Sequence, residues 1–110
     1  MQLINLEPGR LGLEYSQDEW PTIARRLRDF GRMTRESLAT CDLIYVAGES
    51  FILTHDWGQS ALISRSVAAD FILTRVFKGQ RRLKAREQRM IARNRLLRRV
   101  VKTSRFGIAA

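Results

Sequence analysis

The chain has 110 residues and is 45% hydrophobic, enough for one domain with a modest core and too little for a large buried active site. Its formal charge of +9 is split unevenly: residues 1–79 carry 9 Lys and Arg against 10 Asp and Glu, a net −1, whereas residues 80–110 carry 11 against the single Glu87, a net +10. One cysteine (Cys41) excludes an intrachain disulfide and a thiolate metal cluster, and the absence of a basic-then-apolar start or an apolar run near membrane-spanning length leads to the expectation of a cytoplasmic protein.

Residues 2–6 read as a short strand. Glu7-Pro8-Gly9-Arg10 puts Pro and then Gly at the centre of a type II turn. Leu11, Leu13 and Tyr15 alternate with Gly12 and Glu14 as in a half-buried strand, so the chain opens with a hairpin. Ser16-Gln17-Asp18-Glu19 fits the S-x-x-E capping box, and its acidic residues suit the positive end of a helix. Trp20, Ile23, Ala24, Leu27 and Phe30 follow at helical spacing, with Pro21 tolerable in the first turn and Gly31 placed to stop the element. The spacing predicts a helix over 17–30. Residues 32–40 read equally as loop, short helix or poor strand.

Residues 42–46 and 51–57 are apolar, β-rich runs around Ala47-Gly48-Glu49-Ser50. Gly48 at the first central position suits a type II′ turn, which sets Val46 opposite Phe51, Ile44 opposite Leu53 and Asp42 opposite His55. Gly58-Gln59 reads as the next turn, 61–64 as a short strand, and Ser64 or Ser66 as the cap of a helix over 66–78 with the stripe Ala69, Ile72, Leu73, Val76 and Phe77. The order ββαβββα predicts an α+β domain over 1–79, with an antiparallel sheet of about five strands and two packed helices. A basic helical tail over 80–110 follows. Residues 80–103 are rich in helix formers. Within them Leu83, Met90, Leu97 and Val101 fall inside roughly 40° at 100° per residue. They form a narrow apolar seam on a basic rod, suited to oligomerisation or docking.

In the expected register one sheet face shows Ile44, Val46, Phe51, Leu53 and Trp57, and the other shows Cys41, Leu43, Tyr45 and Ile52 with Thr54. An antiparallel sheet with one wet face alternates more cleanly, so the second face needs a cover. The chain's own helices split across two faces, the tail folded back, or a second copy would each supply one. The favoured expectation is a non-enzymatic interaction module that self-associates, most simply as a homodimer.

The tail carries an alternative, nucleic-acid binding. Arg81, Arg82, Lys84, Arg86, Arg89, Arg93, Arg95, Arg98, Arg99 and Lys102 would meet phosphates and release counterions. Only Phe106 is available there for base stacking, and no DNA- or RNA-binding motif matches. Arg-rich helices are commonly solvated arms. A third expectation is a ligand pocket or small enzyme around Asp42, His55 and Trp57, an acid beside an imidazole being a base with its orienting carboxylate. The commoner outcome is a hydrogen-bonded pair at a strand end and a Trp at the rim of the core. Cys41, next to Asp42 in the strand, faces away from it, and one His is too little for zinc. Gly9-Arg10-Leu11-Gly12 opens no helix and is not a phosphate loop. No catalytic residue, metal or cofactor is assigned.

Overall fold

A computed structural model describes residues 1–56, 59–93 and 95–96. Its strands are β1 (Gln2–Glu7), β2 (Arg10–Tyr15), β3 (Thr34–Ser37), β4 (Asp42–Val46), β5 (Glu49–Asp56) and β6 (Gln59–Ser64). Helix α1 (Trp20–Arg28) follows β2 after a 3-10 turn at Gln17–Glu19, and α2 (Val67–Lys78) follows β6. Residues 85–93 form a further helix, α3. The strands make one sheet in the order β1-β2-β6-β5-β4-β3, with every pairing antiparallel. β3 to β6 run as a meander, and the opening hairpin joins its far side through β2.

The α+β class and the antiparallel sheet stand as the sequence indicates, with one strand more. The ambiguous stretch 32–40 supplies β3, whose four residues are all exposed at the sheet edge, so no apolar alternation marks them. The first helix is shorter than 17–30. Ser16 N donates to Glu19 Oε1 at 3.0 Å, but this cap closes a 3-10 turn, and the α-helix starts at Trp20 with Pro21 in its first turn. Ser66 caps α2 by accepting from Ala69 N at 3.0 Å, and Gly79 ends it in the left-handed conformation at φ 72°.

The central hairpin departs from expectation. Ala47 and Gly48 both have positive φ, 53° and 77°, the pattern of a type I′ turn. Val46 therefore opposes Glu49, Ile44 opposes Phe51, and Asp42 opposes Leu53. Glu49 is drawn into the strand because its buried carboxylate accepts from Ser66 Oγ at 2.7 Å, tying the hairpin to the N-terminus of α2. Each partner moves by two positions, so the faces are unchanged. Ile44, Val46, Phe51 and Leu53 still point to the core.

The core lies on one side of the sheet, where Leu13, Ile44, Phe51, Leu53 and Leu62 meet Ile23 and Leu27 of α1 and Ile72, Leu73 and Val76 of α2. Phe77 is not on the buried stripe of α2; it is 36% exposed. The buried arc extends the other way, through Ala68 and Arg75. Asp70 of α2 staples the first hairpin. Its carboxylate accepts from Gly9 N at 2.8 Å, from Leu11 N at 3.2 Å and from Ser64 Oγ.

Candidate functional site

Helices α1 and α2 both pack against one face of the sheet, which leaves the other as its outer face. The register aligns one row across all six strands: Ile4, Gly12, Ile63, Ile52, Leu43 and Glu36. Ile4, Ile63, Ile52 and Leu43 are half-buried by their neighbours alone. Leu6, 51% exposed, closes the gap at Gly12, its Cδ1 lying 3.8 Å from where a Gly12 Cβ would stand. One flank carries Glu14 and Thr54. On the other, the Tyr45 hydroxyl donates to Glu36 Oε2 at 3.0 Å. That bond to the carboxylate raises the phenol's pKa, while the charge of Arg65 opposes the shift.

The tail docks on its own body, though not by the expected seam. Leu83 packs against the core, but it precedes α3, and Met90 is 40% exposed. Leu97 and Val101 lie outside the described residues. The docked face is set by Glu87, Ile91 and Arg95, one turn apart. Glu87 pairs with Arg75, a largely buried cation of α2 that also donates to Gln80. Ile91 is buried. Arg95 donates to the Ala47 carbonyl, and its Nε lies 3.5 Å from Glu49 Oε2. A buried charge without a counter-charge is more costly than a missed apolar contact, so Arg75 and Glu49 orient the helix. Burial alone would raise the Glu87 carboxyl. The hydrogen bonds from Arg75 and from the Lys84 amide, with their charges, outweigh that and hold it below the ordinary range. Arg86, Arg89 and Arg93 fall on the opposite arc of α3 and are exposed, as are Arg81, Arg82 and Lys84 before it. Arg98, Arg99 and Lys102 lie outside the described residues.

The Asp42–His55 pair does not form. With the turn at Ala47-Gly48, Asp42 sits opposite Leu53 and binds Arg35 through Nε at 2.7 Å and through Nη2. His55 instead opposes Ser60 of β6, and its Nδ1 lies 2.7 Å from Ser60 Oγ. Trp57 lies outside the described residues. His55 borders a cavity of about 210 Å³ shared with Tyr15, Trp20, Arg35, Leu53 and Ser60. The rings of Tyr15 and Trp20 stack at 5.7 Å. The Tyr15 hydroxyl is buried, and its contact with Ser60 falls short of a well-formed hydrogen bond. Desolvation pushes its pKa up to about 12, offset in part by Ser60 and by the charge of Arg35. A buried Ser60 sharing a proton with His55 ties β5 to β6, and among the described residues no carboxylate orients the imidazole. Ser60 was legible only from the pairing of Asp56 with Gln59, which sets His55 opposite it.

Among the described residues no three His, Cys, Asp or Glu side chains gather to hold a metal ion, and no helix is long and apolar enough to cross a membrane. Comparison with family models, with curated proteins and with solved structures gives no match.

Proposed function

We propose that this protein is a non-enzymatic, cytoplasmic interaction module that pairs with a second copy of itself through the outer face of its sheet. The observation that carries this is the row from Ile4 to Leu43, apolar across the sheet and covered by neither packed helix. Six strands about 4.8 Å apart and roughly 20 Å long make a layer of about 480 Å². Two such layers face to face bury on the order of 1,000 Å², at the lower bound for a specific interface, which favours a reversible dimer. A two-fold axis along the row sets its apolar residues against their own counterparts. It also brings the Glu14 flank of one copy over the Arg65 flank of the other, an opposite-charge match.

Size-exclusion chromatography with light scattering at tens of micromolar tests this. The expected result is a dimer that Ile52→Lys with Ile63→Lys converts to a monomer of unchanged fold, since both side chains point away from the core. A wild-type monomer at that concentration would remove the basis for the proposal.

A second reading has its own support. α3 is held by Glu87, Ile91 and Arg95, which leaves Arg86, Arg89 and Arg93 as a ridge facing away from the body. Such a ridge suits nucleic-acid phosphates. With Arg81, Arg82 and Lys84 it offers about six contacts, so log affinity for duplex DNA should fall with log salt at a slope near −5. No binding at low salt excludes this reading.

A further inference from the structure

The charge map of the sequence separates a near-neutral body from a basic tail, but the fold reunites part of the two. A cleft of about 300 Å³ lies between the end of α1 and the segment after α2, lined by Arg25, Arg26, Asp29, Gly79 and Arg81. Arg25 and Arg26 come from the last turn of α1, and Arg81 follows the Gly79 cap of α2. Arg26 is fixed in place: its Nη1 donates to the Val76 carbonyl at 3.0 Å, and its Nη2 lies 3.3 Å from where a Gly79 Cβ would stand. A side chain at residue 79 would therefore press on the guanidinium.

The simplest duty of these arginines is to complement the negative ends of α1 and α2. The magnitudes leave an excess. Two helix ends count for about −0.5 each, and Asp29 adds one full negative charge. Against three guanidinium groups, the cleft stays positive by about one charge. Arg28 and Arg82, both exposed, belong to the same two segments and add to it. Arginines from distant parts of the chain, one of them locked, converge with too little anionic charge to balance them. That is the arrangement a phosphate recruits, since guanidinium forks match its oxygens.

We propose that this cleft binds a backbone phosphate of a nucleic acid, held by Arg25, Arg26 and Arg81, at the point where a strand running along the α3 ridge reaches the body. The proposal rests on the second reading above and is independent of self-association through the sheet.

The test is fluorescence anisotropy with a short labelled duplex DNA and a single-stranded RNA over a range of salt. Three proteins are compared: wild type, Arg25→Gln with Arg81→Gln, and Arg86→Gln with Arg89→Gln and Arg93→Gln. Arg25 and Arg81 are exposed, so the double variant should match wild type in circular dichroism and melting temperature. Arg26 is left intact because it holds α2. The expected result is at least a tenfold loss of affinity in the double variant and a salt slope shallower by about 2. A double variant that binds like wild type, while the triple variant loses binding, overturns the cleft and leaves the ridge standing. Absence of wild-type binding at low salt overturns both. Preference for phosphatidylserine vesicles over either nucleic acid overturns the class of partner.

Discussion

Tyr15 sets a buried hydroxyl among the rings and aliphatic groups of the core with only a poorly formed contact to Ser60. Desolvation of its phenol outweighs the contact with Ser60, so Tyr15→Phe should leave the fold at least as stable, gaining up to about 1 kcal/mol, read from urea melts. The effect has a pH signature. The folded pKa of about 12 lies above the ordinary 10.0, so the group's favourable contribution is complete below pH 10 and is lost as pH rises through 12. Wild type should therefore lose stability over that window more steeply than Tyr15→Phe. Equal slopes, or a less stable variant, would mean that the contact with Ser60 outweighs the desolvation. Asp70 shows the opposite economy at the same scale. One carboxylate meets two amides of the first hairpin and one serine, and nothing in its sequence neighbourhood announces that role.

At the scale of elements, the β4–β5 hairpin holds Ala47 at φ 53°, where an L-residue other than Asn or Gly is strained. Ala47→Asn would create the Asn-Gly pair favoured by type I′ turns and should add about 0.5–1 kcal/mol in chemical denaturation. A loss instead would show the larger side chain colliding with the backbone at Gly31, a position so close that a Cβ placed there would stand 3.4 Å from Ala47 N. This turn also shows what the sequence could convey. Alternation specified which residues of β4 and β5 face the core, and a shift of two left that intact. It could not specify who sits across from whom, because that depended on Glu49 finding Ser66, a contact between segments 17 residues apart. Helix α2 was readable because its cap, stripe and glycine stop are all local. β3 was not, because an exposed edge strand has no buried side to leave a period. The docked face of α3 was hidden for a related reason: apolar spacing marks a stripe, but the helix is turned toward two buried charges, Arg75 and Glu49, that spacing does not register. The clustering of Arg25 and Arg26 with Arg81 is wholly tertiary and has no linear signal.

For the whole molecule, the tail belongs to the stability of the body. Leu83 packs on the core and Ile91 is buried, so deletion of residues 80–110 should cost about 3 kcal/mol at the usual value for apolar burial. For a body of this size that corresponds to a fall of roughly 12–24 °C in melting temperature. Differential scanning calorimetry of the truncated chain measures it, and an unchanged melting temperature would show that docking contributes nothing. The contact is incompletely filled, since a cavity of about 480 Å³ runs beneath α3 beside Phe30, Ile72 and Ile91. The pairs at Arg75 and Glu49 add to that packing and fix the orientation of the helix.

The two margins of the sheet determine what kind of assembly can follow. β3 is four residues long with Arg35 and Glu36 at its centre, and β1 is interrupted by an irregularity between Asn5 and Glu7 before Pro8. Neither invites another strand alongside. The pairing proposed above would thus be confined to the broad side, and two broad sides meeting face to face would use up that surface on both copies. The proposed dimer would therefore close at two copies, where an open flank would let assembly go on lengthening into a fibre.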